Sequence, residues 1–155
     1  MPISLRTKII AGLVSVVALL LILSFAPLPG YYNVAVTVDM EEVQALVVSY
    51  YQINSVNPSV TGQSTIIDWA GFGLSFTFGE ITGQFKLTVC VGGTCSSATE
   101  SKLLPSLPWN TNLDVSDTLH LSYIHQGQYT VTATLYNNGA QVAQENAPLC
   151  VGSGC

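Results

Sequence analysis

The sequence predicts an all-β body, an antiparallel β-sandwich, preceded by a single N-terminal hydrophobic helix. Three observations carry this expectation. An uncharged apolar run extends from Ile9 to Ala26, apolar residues recur at every second position from Tyr31 onward, and turn-forming residues break the chain at short intervals without any helical period. A chain of 155 residues, 48% apolar, holds one ordinary core. The expected organisation is therefore a basic stub at 1–8, a hydrophobic segment at 9–26, a proline-rich linker at 27–30 and a β-sandwich at 31–155.

The run IIAGLVSVVALLLILSFA is about as long as a helix needs to be to cross a bilayer. Arg6 and Lys8 precede it, and basic residues at that flank hold it on the cytoplasmic side, which puts residues 27–155 outside. Three readings stay open: an uncleaved membrane anchor, a removed signal peptide and a helix buried in a larger assembly. Ser24-Phe25-Ala26 fits a signal-peptide cleavage site loosely, but Pro27 disfavours cutting there. The lipid bilayer is the partner expected for 9–26.

Past the helix, nine acidic residues face only Lys86 and Lys102, a net charge of −7 over residues 27–155. Such a surface repels phosphate backbones, so no nucleic-acid partner is expected. Charge is also sparse, at 8% of all residues, leaving Ser, Thr, Asn, Gln and Gly to form the surface.

APLPG (26–30) reads as a stiff connector, because proline fixes its own φ and restricts the residue before it. Val34, Val36 and Val38 then alternate with Ala35, Thr37 and Asp39 as a strand with one buried face. Residues 43–53 (VQALVVSYYQI) are β-branched or aromatic at both parities, which suits a strand covered on both sides; a short helix is the rival reading. NPSVTGQS reads as a turn. Leu74, Phe76 and Phe78 form another alternating set, as do Phe85, Leu87, Val89 and Val91, then Leu119, Leu121 and Tyr123, then Tyr129, Val131, Ala133 and Leu135. Asn138-Gly139 predicts a type I′ hairpin tip, with Asn137 opposite Ala140 and Leu135 opposite Val142.

GQYTVTA (127–133) resembles the tyrosine-corner region of immunoglobulin-like domains, in which a tyrosine at the start of a late strand hydrogen-bonds to backbone just upstream. The resemblance implies an Ig-like sandwich with Tyr129 as the corner residue. Antibody domains place a cysteine two residues later, where this chain has Val131. In outline the chain is also similar to the β-sandwich ectodomains of surface-filament or envelope proteins: an apolar leader, an acidic β domain and few charges.

The four cysteines occur twice in one frame, C90-V-G-G-T-C95 and C150-V-G-S-G-C155. An exported domain meets an oxidising environment, so disulfides are expected. With Gly92-Gly93 as a two-residue turn, Val91 faces Thr94 and Cys90 faces Cys95 at a non-hydrogen-bonded rung, about 4.5 Å apart at Cα. Two local bridges, Cys90–Cys95 and Cys150–Cys155, are the leading reading; crossed bridges, intermolecular bridges and a four-thiolate metal site are the alternatives. The redox C-x-x-C spacing is absent.

No catalytic motif is recognisable, so no catalytic residue, metal or cofactor is expected. His120 and His125 fall on opposite faces of a regular strand. Asp68 with Glu80 has the residue types of a glycosidase's paired carboxylates, but any acidic β-protein offers such pairs. Asp114 and Asp117 supply too few oxygen ligands for calcium and read as turn or capping residues. Tyr31, Val34, Val36 and Val38, in a strand free to add to a neighbour's sheet edge, and the aromatics Trp69, Phe72 and Trp109 are the candidate interaction surface. The expected function is that of a non-enzymatic cell-surface or virion structural protein, membrane-anchored or exported, acting by subunit packing, with filament assembly by strand exchange as one mechanism. Self-association or another surface protein would supply the partner. An adhesive or ligand-binding accessory module is the alternative.

Overall fold

The computed structural model describes residues 4–44, 49–70, 85–100, 112–153 and 155. Leu74, Phe76, Phe78, Phe72, Glu80 and Trp109 lie outside these residues. The elements are α1 (Leu5–Ser24), β1 (Pro27–Gln44), β2 (Ser49–Thr65), a 3-10 turn (Ile66–Ala70), β3 (Phe85–Val91), β4 (Thr94–Glu100), β5 (Asn112–His125), β6 (Gly127–Asn137) and β7 (Ala140–Val151).

Helix α1 starts four residues earlier than the uncharged run. Ser4 caps it by accepting from the Thr7 N–H, so Arg6 and Lys8 fall inside its first turns. None of its residues is buried, and it has no polar stripe to distinguish one face from another. The two serines beyond its first turn donate back to backbone, Ser15 to Ala11 O and Ser24 to Leu20 O, and so present no unmet donor.

All strand pairings among the described residues are antiparallel, in two sheets of order β2-β1-β5 and β4-β3-β6-β7. Their apolar faces share one core. Val34, Val36, Val38 and Met40 of β1 with Leu119, Leu121 and Ile124 of β5 supply one side. Leu87, Val89 and Val91 of β3, Val131, Ala133 and Leu135 of β6, and Leu149 and Val151 of β7 supply the other. Tyr51 of β2 reaches Phe85 of β3 with ring centroids 4.9 Å apart. The all-β class with one apolar helix thus holds. The immunoglobulin arrangement puts the second strand between the first and fifth, whereas among the described strands β1 lies between β2 and β5.

Several local expectations need correction. The linker 27–30 is already strand: Pro27 pairs with Thr65, and an irregular stretch follows before Tyr32 pairs with Gln63. Proline is tolerated there as the strand's first residue. Residues 43–53 are not one strand, because β1 ends at Gln44 opposite Ser49, where β2 begins. NPSVTGQS is not a turn but part of β2, where Pro58 sits opposite Val36. Among the described residues this strand lies at the edge of its sheet, a position where proline is tolerated.

Tyr123 leaves the alternating set, since its φ of +61° throws the pleat out of phase and Ile124 turns inward instead. The β6–β7 tip forms at Asn138-Gly139 with Asn137 opposite Ala140, but an irregularity between Leu135 and Tyr136 pairs Leu135 with Ala143 rather than Val142.

Strand β1 is the correction that matters for function. It is hydrogen-bonded on both sides, and Val34, Val36 and Val38 are 0% exposed. These three are core residues, not an interaction surface, and the segment has its place in its own sheet.

Candidate functional site

The antiparallel order gathers one set of strand ends where the helix enters. The start of β1, the ends of β2, β5 and β7, the start of β6 and the β3–β4 turn all meet there, as the pairings Pro27 with Thr65, Tyr31 with His125, Gly127 with Val151 and Val91 with Val131 show. We call this end the base. Only Phe25 and Ala26 separate α1 from β1. Both remain hydrogen-bonded to the helix, Phe25 N–H to Ile22 O and Ala26 N–H to Leu23 O.

Both cysteine frames close their own bridge at the base. Cys90 pairs with Cys95 as rungs of the β3–β4 hairpin with Cα atoms 4.1 Å apart, and Cys150 joins Cys155 with Cα atoms 5.7 Å apart. With all four sulfurs bridged, no thiolate is left for a metal or for nucleophilic chemistry.

The glycine shared by the two frames has a structural reason. Gly92 and Gly152 both take positive φ, +55° and +82°, and both lie against aromatic rings. A Cβ on Gly92 would come 2.5 Å from Cε1 of Tyr129; one on Gly152 would come 2.8 Å from Cβ of Gln126 and 3.2 Å from the Tyr32 ring. Each disulfide-bearing turn is therefore seated on a tyrosine, which the spacing of the cysteines alone did not reveal.

Tyr129 fulfils the corner geometry, its hydroxyl donating to His125 O at 2.8 Å across the β5–β6 connection. The same connection is tied to β1 by the Gln126 N–H donating to Gly30 O at 3.0 Å.

A polar lock completes the base. The Asp68 carboxylate accepts from the Thr65 N–H at 2.6 Å, from the Thr65 hydroxyl at 3.2 Å and from Asn33 Nδ2 at 3.0 Å. Asn33 Oδ1 in turn accepts from the fully buried Ser64 hydroxyl at 2.7 Å, and that hydroxyl accepts from the Tyr123 N–H at 3.0 Å. The Tyr123 hydroxyl then donates to Thr65 O at 2.6 Å. The lock thus joins β1, β2, the 3-10 turn and β5, and it holds Tyr123 in a left-handed conformation that costs a non-glycine residue about 1–3 kcal/mol. Partial burial pushes the Asp68 carboxyl up, but the hydrogen bonds from Thr65 and Asn33 outweigh it and hold the group below its ordinary value.

Thr65-Ile-Ile-Asp68 is a capping-box spacing, with Asp68 reaching back to the N–H of the cap residue. That was the signal in the sequence for this part of the site. Nothing local indicated that Asn33 and Ser64 would join it.

Tyr31 packs edge-on to Tyr123 at 6.5 Å and to His125 at 5.3 Å between ring centroids. His120 sits further along β5 opposite Ala35, so the two histidines do not meet. Asp117 turns inward, 9% exposed, where Oδ1 accepts from the Thr118 N–H and Oδ2 has no hydrogen-bond partner. Trp69 lies in the 3-10 turn, and its side chain is outside the described residues.

The outward face of the β2-β1-β5 sheet carries uncharged ladders with a few acids tied into them. Thr37 and Thr118 share a hydroxyl bond at 2.9 Å, Gln52 and Asn54 both donate to Glu41, and Ser55 donates to Asp39. Hydrogen bonds from Ser55 and Ser116 hold the Asp39 carboxyl below its ordinary value. Among the described residues no three His, Cys, Asp or Glu side chains converge as a metal site.

Comparison with protein-family models, curated proteins and solved structures finds no match to this chain. The exposed apolar helix and the two disulfides fit a membrane-anchored or secreted protein.

Proposed function

We propose that this chain is a non-enzymatic structural protein of an outer surface, held in the membrane by α1 and presenting its β domain on the oxidising side. The single observation that carries the reading is the junction. A fully exposed apolar helix runs, through two residues that stay hydrogen-bonded to it, into the buried central strand of the domain. A hinged binding module would need a loose tether. Here the anchor continues into the core, and a load on the helix passes to β1 and its two neighbours.

The domain then works through packing against further copies or other surface proteins, in a filament, an envelope or a virion. Its hydroxyl and amide ladders offer uncharged hydrogen-bonding groups to a packing partner, while its net charge of −7 makes packing of identical copies more favourable as salt screens it. Strand exchange through Tyr31–Asp39 is not part of this proposal, because that segment is already paired on both sides.

Sedimentation of the full chain in detergent, over a range of protein-to-detergent ratios, tests the packing. Reversible assembly beyond one chain per micelle is expected. A single chain per micelle at every ratio, with no cross-linked species in the source membrane, would refute it.

A further inference from the structure

We infer that the base of the β domain is a second membrane contact, in which Phe25, Tyr31 and Ile66 lie in the headgroup layer of the bilayer that α1 crosses. The inference rests on the proposed membrane span of α1 and adds to it the orientation of the domain.

The reach follows from the chain. A helix of 20 residues is about 30 Å long, the thickness of the hydrocarbon layer, so with α1 spanning, Ser24 sits at the outer boundary. Phe25 is the next residue. Pro27 follows within about 11 Å of Ser24, at 3.8 Å per residue, and its partner Thr65 brings Ile66 to the same level. The 3-10 turn that begins at Ile66 also approaches α1 directly. Tyr31 belongs to this cluster through Tyr123, whose ring lies 6.5 Å from that of Tyr31 and whose hydroxyl also meets Ile66 O at 3.1 Å.

The chemistry of the patch fits lipid headgroups. Phe25 is 62% exposed, Ile66 50% and Tyr31 40%, so three large side chains face solvent at the end of the domain nearest the helix. Aromatic residues with one apolar and one polar side favour the boundary between hydrocarbon and water. No Lys or Arg occurs between Lys8 and Lys86, so the contact does not depend on anionic lipid. The surface is suited to zwitterionic phosphatidylcholine and should be insensitive to salt.

The test is amide NMR of the full chain, one copy per phosphatidylcholine nanodisc, with spin-labelled lipid of two kinds. A mid-acyl label should broaden α1 amides such as Leu13, and a headgroup label should erase the amide signals of Phe25, Tyr31 and Ile66 while Gly139, at the far end of the domain, stays sharp with both. The inference falls if the acyl label broadens Leu13 but the headgroup label leaves Tyr31 and Ile66 as sharp as Gly139. It also falls if those two signals respond only when a second chain is loaded per disc, which would assign the face to another copy. If the acyl label leaves Leu13 sharp, the membrane span itself has failed, a result the first two cannot mimic.

Discussion

Replacing Asp68 by alanine removes the acceptor at the end of the lock. Three hydrogen bonds end on this carboxylate. Bonds to a charged group contribute about 1.5–3 kcal/mol each when buried, but Asp68 is only partly buried and solvent screens it. We therefore expect a loss of about 2 kcal/mol in total. Asn33 and Ser64 also lose their fixed orientation, so the strained backbone of Tyr123 should relax with them. For a domain of this size a urea slope of about 2 kcal/mol per molar converts the loss into a midpoint lower by about 1 M. Equilibrium urea unfolding of the full chain in detergent, followed by tyrosine and tryptophan fluorescence, reads this directly.

The pH dependence has a definite sign. The folded carboxyl is held below its ordinary value, so its stabilisation is complete above the unfolded pKa of about 3.9 and is lost as pH falls through the lower, folded value. The difference between the parent and Asp68→Asn should therefore shrink on going from pH 7 to pH 2. An Asp68→Ala midpoint within about 0.2 M of the parent at pH 7, against the expected shift from the urea slope, would refute the lock as a stabilising element.

Other substitutions test the remaining contacts at the base. Gly92→Ala should cost at least about 1 kcal/mol more than Gly93→Ala in the same assay: both positions have positive φ, but only the first would press on the Tyr129 ring. Tyr129→Phe, which deletes the hydroxyl that reaches His125 O, should lower stability by about 1 kcal/mol, and an unchanged midpoint would remove the corner from the account. Replacing Cys90 and Cys95 together by serine should cost no more than about 2 kcal/mol, because a loop this short restrains little chain entropy. Hydrogen exchange should then rise at the β3–β4 tip and not across the sheet.

What the sequence made legible was local. The apolar helix, the paired frames that close Cys90–Cys95 and Cys150–Cys155, the Asn138-Gly139 tip and the corner at Tyr129 each depend on residues a few positions apart. Strand order does not. Nothing in the alternation of Val34, Val36 and Val38 distinguishes a central strand from an edge strand, so whether this segment was free to pair with a neighbour's sheet could not be read in advance.

Proline misled in both directions. Pro27 and Pro58 signal a linker and a turn, yet one begins a strand and the other occupies an outer edge, the two places where a sheet tolerates a missing N–H. The two slipped pairings, at Tyr123 and after Leu135, come from irregularities that strict alternation does not encode. The lock was half legible, through the Thr65-to-Asp68 spacing; Asn33 and Ser64 are brought to it only by the pairing of β1 with β2.

Protease protection of the intact, non-reduced chain in right-side-out cells or spheroplasts tests the central claim most directly. The account predicts that the protein stays with the membrane after an alkaline wash, that residues beyond Phe25 are reached by protease from outside, and that no sulfhydryl reacts with a maleimide before reduction. A β domain that is shielded until the membrane is ruptured, with its four thiols free, would contradict it.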